Sequence, residues 1–187
     1  SRSAFMQYDT QALVAETEEI VLVVFRGSEV PVGVAGRVVA TLRDWLATDA
    51  DMALTSFSDL GADVEVHSGF HRGFMAVAEE IEAAVREPVA AGRRLWVTGH
   101  SLGGALATLA APWLCARRLP VAGVYTFGAP MAGGVGLTNL FRTLPIVGFH
   151  RYVQEGDPVP ALPPRPAAYQ HTVPPHVIRP DGTISLS

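Results

Sequence analysis

The stretch Leu95-Trp-Val-Thr-Gly-His-Ser-Leu-Gly-Gly-Ala-Leu-Ala-Thr-Leu-Ala110 constrains the fold of this chain more than any other. It reads as a short buried strand, a glycine-bracketed turn carrying Ser101, and a helix rich in small residues. Gly99-His100-Ser101-Leu102-Gly103 fits G-x-S-x-G, the turn that forces a serine into a sharp strand-to-helix elbow. Both glycines are needed because a Cβ there would run into the neighbouring strand or the helix start. The helix start after Ser101 offers N–H groups without intrahelical partners and a positive dipole end, which suits an oxyanion. G-x-S-x-G alone also describes an ordinary Gly-Ser turn. The strand before it and the helix after it make Ser101 a candidate nucleophile.

The rest of the chain alternates strands with helices. Residues 9–16 and 19–26 read as two strands, the second a continuous apolar run of the kind buried in a parallel sheet. It ends in Phe25-Arg-Gly-Ser28, at the carboxyl end of a strand, where open α/β sheets place their ligands. Residues 29–50 hold Val38, Val39, Leu42, Trp45 and Leu46 at helical spacing, either a surface helix or a mobile cover over the site. A strand is expected near 64–69. Phe70, Phe74, Val77, Ala78, Ile81 and Val85 then form one apolar helical stripe, closed by Pro88 and Gly92. After the elbow helix, which Pro112 is expected to kink, come a strand at 121–127, a short helix over 134–143, a strand at 149–154 and one strand near 176–185. The pattern predicts a mainly parallel sheet with helices on both faces.

At 187 residues the chain reads as a single domain,. Its net charge of −4, with no basic run, gives no reason to expect nucleic acid,. The one cysteine, Cys115, excludes an intrachain disulfide and reads as a small apolar residue of the elbow helix,. No run of about twenty apolar residues suggests a transmembrane segment. No signal peptide is visible, which leaves secretion with a leader removed and a bacterial cytoplasm both open.

A serine hydroxyl is a weak nucleophile until a base takes its proton, and that base must be oriented by a third group. In α/β hydrolases the chain order is Ser, Asp or Glu, then His. The carboxylates that follow Ser101 before the tail are Glu155 and Asp157. Asp157, in Gly-Asp-Pro-Val-Pro160, is the better orienter; its alternative is a turn aspartate capping its own backbone. The oxyanion donors expected are the N–H of Leu102 and the N–H or hydroxyl of Ser28, whose alternative is a strand-end turn serine.

These residues resemble those of the class 3 lipases, the filamentous-fungal-type triacylglycerol lipases and their bacterial relatives. The matching segments are Phe25-Arg-Gly-Ser28, Trp45 with Asp49, His67-Ser-Gly-Phe70, Thr98-Gly-His-Ser-Leu-Gly-Gly-Ala105, Tyr125-Thr-Phe-Gly-Ala-Pro130, Asp157-Pro-Val-Pro160 and Tyr169-Gln-His171. The resemblance implies an α/β-hydrolase fold and acyl-ester hydrolysis through an acyl-enzyme, with Ser101 as nucleophile, Asp157 as triad acid, and Ser28 and Leu102 as oxyanion donors. It implies a lid soon after Phe-Arg-Gly-Ser, and the Glu29–Thr41 stretch is longer than the family's usual lid.

The base is where the chain departs from the pattern. The resemblance gives no such role to His67, His71 or His100, His150 precedes Asp157 and sits in a strand, and His171 matches a histidine that the family keeps but does not use as base; the family's catalytic histidine lies well beyond it. The chain is therefore expected to be the central part of a lipase, incomplete at both ends, with its base outside the sequence; within it His171 is the first candidate and His176 the second. The functional expectation is a serine esterase or lipase acting on acyl esters, acylglycerols above all, at a lipid–water interface. An acyltransferase on the same fold and a catalytically inactive lipase-like binding module are the competing readings. No metal or cofactor is expected, because the histidines lack ligand spacing and a triad needs none.

Overall fold

The structure is a computed structural model that describes residues 2–7, 10–27, 53–164 and 168–186. Its centre is an eight-stranded sheet, built from β1 (Arg2–Gln7), β2 (Thr10–Glu16), β3 (Ile20–Phe25), β6 (Arg94–His100), β7 (Val121–Phe127), β8 (Gly148–Gln154), β9 (Pro175–Ile178) and β10 (Ile184–Leu186). They lie in that order across the sheet. The pairings from β3 through β9 are parallel, and the two edges are closed by the antiparallel pairs β1–β2, β2–β3 and β9–β10. A two-stranded antiparallel ribbon, β4 (Leu54–Ser56) with β5 (Glu65–His67), stands apart.

Each central strand buries alternate residues. Val21, Val23 and Phe25 of β3 and Leu95 and Val97 of β6 are at most 1% exposed. They share one core with α1 (Ser68–Met75), α2 (Ala78–Ala90) and α3 (Leu102–Ala116). The opposite face carries Leu22, Trp96 and Tyr125, all half-buried. Among the described residues α1, α2 and α3 share the core on the first of these faces.

The elbow helix α3 is buried continuously from Gly103 to Leu114. Its small residues allow that approach: a Cβ on Gly104 would lie 2.6 Å from the Ala129 Cβ beyond the end of β7. Pro112 sits within α3, which continues to Ala116. Trp113 packs edge-on against Phe74 at 5.4 Å and donates its indole N–H to Asp59 at 3.2 Å. Arg117 covers the indole at 3.4 Å and pairs with Asp59 at 3.0 Å, which lowers the Asp59 pKa.

Three elements differ from expectation. The stripe from Phe70 to Val85 is two helices, because α1 ends at Met75 and α2 starts at Ala78. The tail strand is a hairpin, β9 and β10, turned at Pro180-Asp-Gly182 with Gly182 at φ 82°. β1 had no counterpart in the sequence reading and pairs along its whole length with β2. The possible cover over residues 29–50 lies outside the described residues.

Candidate active site

Ser101 stands between β6 and α3 at φ 54°, ψ −126°, in a region that a non-glycine residue enters only under constraint,. The constraint is visible on both sides. The Ser101 N–H donates to the Phe127 carbonyl at 2.9 Å, and its own carbonyl accepts from Gly104 N at 2.9 Å. A Cβ on Gly99 would overlap the backbone of Gly103, and one on Gly103 would overlap the Phe25 carbonyl. Glycine at these two positions is thus what lets helix, elbow and β3 converge. The Ser101 Oγ is buried and has no hydrogen-bond partner among the described residues. At the first turn of α3 the Leu102 N–H has no intrahelical acceptor, so it is available to an oxygen bound near Oγ.

Asp157 follows β8, two strands from the strand that carries Ser101. Strand spacing puts the two strand ends about 9–10 Å apart, room for an imidazole between hydroxyl and carboxylate. The Asp157 Oδ1 accepts from Val159 N at 2.9 Å, so the aspartate does cap its own turn. Its other oxygen is turned toward the intervening strand end: a Cβ on Gly128 would lie 2.8 Å from Oδ2. Gly128, at φ 56°, is therefore required both for its conformation and for the space beside the carboxylate,. The same Cβ would lie 3.6 Å from His100 Nε2, so the exposed His100 ring shares this corner.

The other histidines are engaged elsewhere. His67 caps α1, its Nδ1 accepting from Phe70 N at 3.3 Å, and stacks on the Phe70 ring. His71 packs on Phe57 at 4.6 Å. His150 Nδ1 and His176 Nε2 lie 3.2 Å apart on β8 and β9, where His176 also stacks on Tyr152. His171 places Nε2 2.8 Å from the Pro160 carbonyl, to which it donates. Burial, aided by Arg151, pushes the His171 pKa down to about 4. That bond braces the Asp157-Pro-Val-Pro160 segment, and it leaves a weak base with its Nε2 already committed. The geometry therefore does not support His171 or His176 as the base, contrary to their places in the Ser–Asp–His order. Ser28, the expected second oxyanion donor, lies outside the described residues, as do Trp45 and Asp49.

Sequence reasoning passed over Gly128 and Arg151. The signal for Arg151 was a lone charge in the strand Phe149–Gln154, which reads as solvent-facing; the residue is 7% exposed. Among the described residues no group of three or more His, Cys, Asp or Glu could hold a metal ion, and no helix is long and apolar enough to cross a membrane.

The low His171 pKa has a consequence for stability. Free histidine titrates near 6.5. Between that value and about 4 the unfolded chain binds a proton that the folded chain refuses. The stability tied to neutral His171 is therefore complete above about pH 6.5 and is lost as the pH falls toward 4, by up to about 3 kcal/mol. Urea unfolding at pH 4.5 and 7 should show a smaller pH dependence in His171→Gln than in the parent. Equal dependence would contradict the assignment.

The family description Lipase (class 3) matches residues 22–167. This chain belongs to the class 3 lipases. Secreted mono- and diacylglycerol lipase 1 of Fusarium solani is 34% identical over 152 residues, covering 78% of this chain and 43% of that one. The solved Rhizomucor miehei triacylglyceride lipase superposes with a TM-score of 0.80 at 28% identity, over 100% of this chain and 68% of that one. A triacylglycerol lipase whose catalytic centre is a serine protease triad does so with a TM-score of 0.76 at 31% identity, over 95% of this chain and 65% of its own. The fold is accordingly that of the α/β hydrolases. The chain spans about half the length of the curated lipases it matches.

Proposed function

We propose that this class 3 lipase domain hydrolyses carboxylic esters through an acyl-enzyme on Ser101. The observation that carries the reading is the buried, unpartnered Ser101 Oγ on a strained elbow, two strands from the free edge of Asp157. Ser101 attacks the ester carbonyl, the Leu102 N–H and Ser28 hold the oxyanion, and Asp157 orients and offsets the imidazolium that forms. The base is a histidine outside this sequence, entering the gap between Ser101 and Asp157. What supports this last part is that His67, His71, His150, His171 and His176 are each held in other contacts, while exposed His100 precedes the nucleophile it would have to serve, against the Ser–Asp–His order,.

The substrate class we propose is acylglycerols met at a lipid–water interface. Support comes from the Fusarium relative, a mono- and diacylglycerol lipase, the Rhizomucor triacylglyceride lipase, and a similar fungal lipase–inhibitor complex that serves as a model for interfacial activation. The test is hydrolysis of p-nitrophenyl butyrate and of a diacylglycerol emulsion, with Ser101→Ala as the blank. Folded protein whose turnover is indifferent to Ser101 would refute the reading.

A further inference from the structure

Where β7 pairs with β8, ahead of the Asp157 loop, lies a second polar centre. A small closed-in cavity, about 10 Å³ as seen by the centre of a water molecule, is lined by Arg151, Thr126, His171, Thr108 and Gln170 among others. A void of that size holds about one water-sized species. Two of its polar groups are left unsettled by the protein. The Thr126 hydroxyl is fully buried and has no hydrogen-bond partner among the described residues. Arg151 is 7% exposed, and the protein contact that holds it is Nε donating to the Val173 carbonyl at 3.1 Å. Among the described residues no carboxylate stands within ion-pair distance of Arg151.

The neighbouring groups do not offset that charge. The Thr108 hydroxyl donates to the Gly104 carbonyl at 2.9 Å, and His171 donates to Pro160 and is neutral at physiological pH. Burial lowers the Arg151 pKa to about 10, which still leaves the guanidinium charged. An isolated buried cation is costly, and such groups are normally paired. A water molecule would meet the hydrogen-bonding demand of Thr126 and leave the charge uncompensated. A small anion would meet both.

We propose that Arg151 and Thr126 form a binding site for one small monovalent anion of the halide class, with chloride the physiological occupant. The anion accepts from the guanidinium and from the Thr126 hydroxyl. Its site joins β7, through Thr126, to β8, through Arg151, and His171 ties the same centre to Pro160 of the acid loop. An occupied site thereby stiffens the segment that presents Asp157.

The experiment is thermal unfolding in chloride against gluconate at equal ionic strength, gluconate being too bulky for the cavity. Above its Kd each tenfold rise in chloride should raise the midpoint by about 3 °C. Thr126→Val, which keeps the shape and removes the acceptor's partner, should flatten that dependence, and Arg151→Met should abolish it. Thr126→Val keeps the test decisive if Arg151→Met fails to fold. Equal midpoints of the parent protein in both salts would mean the cavity holds only water and would overturn the proposal. So would a chloride shift of full size in Thr126→Val.

Discussion

Replacing Ser101 with alanine in a chain that carries its base lowers kcat/KM for ester hydrolysis by about 10⁵–10⁶. The loss is that large because, among the described residues, Ser101 is the one hydroxyl on a positive-φ elbow. The elbow alone brings a hydroxyl to the carboxyl end of the sheet beside free helix N–H donors, and the Oγ is already buried and unbonded. Stability should change little, because the Oγ has no partner to leave unpaired. The strained φ of 54° is unchanged by the substitution, since alanine carries the same Cβ. Steady-state kinetics beside thermal unfolding separates the two effects. A folded Ser101→Ala protein that retained a tenth of the activity would remove Ser101 from the mechanism.

Asp157→Asn lowers kcat by about 10⁴ while leaving KM and the unfolding midpoint nearly as they were. The carboxylate does two things in this structure, and the substitution divides them. Oδ1 accepts the Val159 N–H at 2.9 Å, and an amide oxygen accepts that bond equally well. Oδ2, on the side of Gly128, offers the negative charge that holds a histidine in the right tautomer and stabilises its cation,. An amide can do neither. If Asp157 were only the turn residue it also is, Asn would leave kcat intact and Ala would cost stability. The split between kcat and unfolding midpoint therefore decides between the two roles.

The elbow was legible in the sequence because its constraints are local. Gly99 faces the backbone of Gly103, and Gly103 faces that of Phe25, so G-x-S-x-G reports directly on sterics. The parallel strands were legible for a similar reason, since a run such as Ile20–Phe25 suits little else. The failures came where the local pattern is silent or misleading, or where the partner is far away in the chain. β1 exists through its register with β2, and its own residues, Arg-Ser-Ala-Phe-Met-Gln, carry no clear alternation. The break between α1 and α2 is hidden because the apolar stripe continues across it. The β9–β10 hairpin did leave a signal, Asp181-Gly182, with Asp181 Oδ1 accepting from Thr183 N at 2.9 Å. His171 fits the linear order of a triad but matches a histidine to which the resemblance gives no base role, and its tertiary bond to Pro160 places it against the acid loop. Arg151 reads as exposed in sequence, and only the packing around Val173 shows it buried.

Ser101 and Asp157 stand at the ends of strands two apart in the sheet, and the proposed base enters between them. The measurement that tests this most directly is p-nitrophenyl butyrate hydrolysis by the 187-residue chain across a range of added imidazole, corrected with Ser101→Ala. The account predicts low activity without imidazole and a saturable rise with it, far short of an enzyme with a tethered base, and strongly reduced in Asp157→Asn. High activity without imidazole that disappears in His171→Gln would contradict it, because the base would then be present and misassigned.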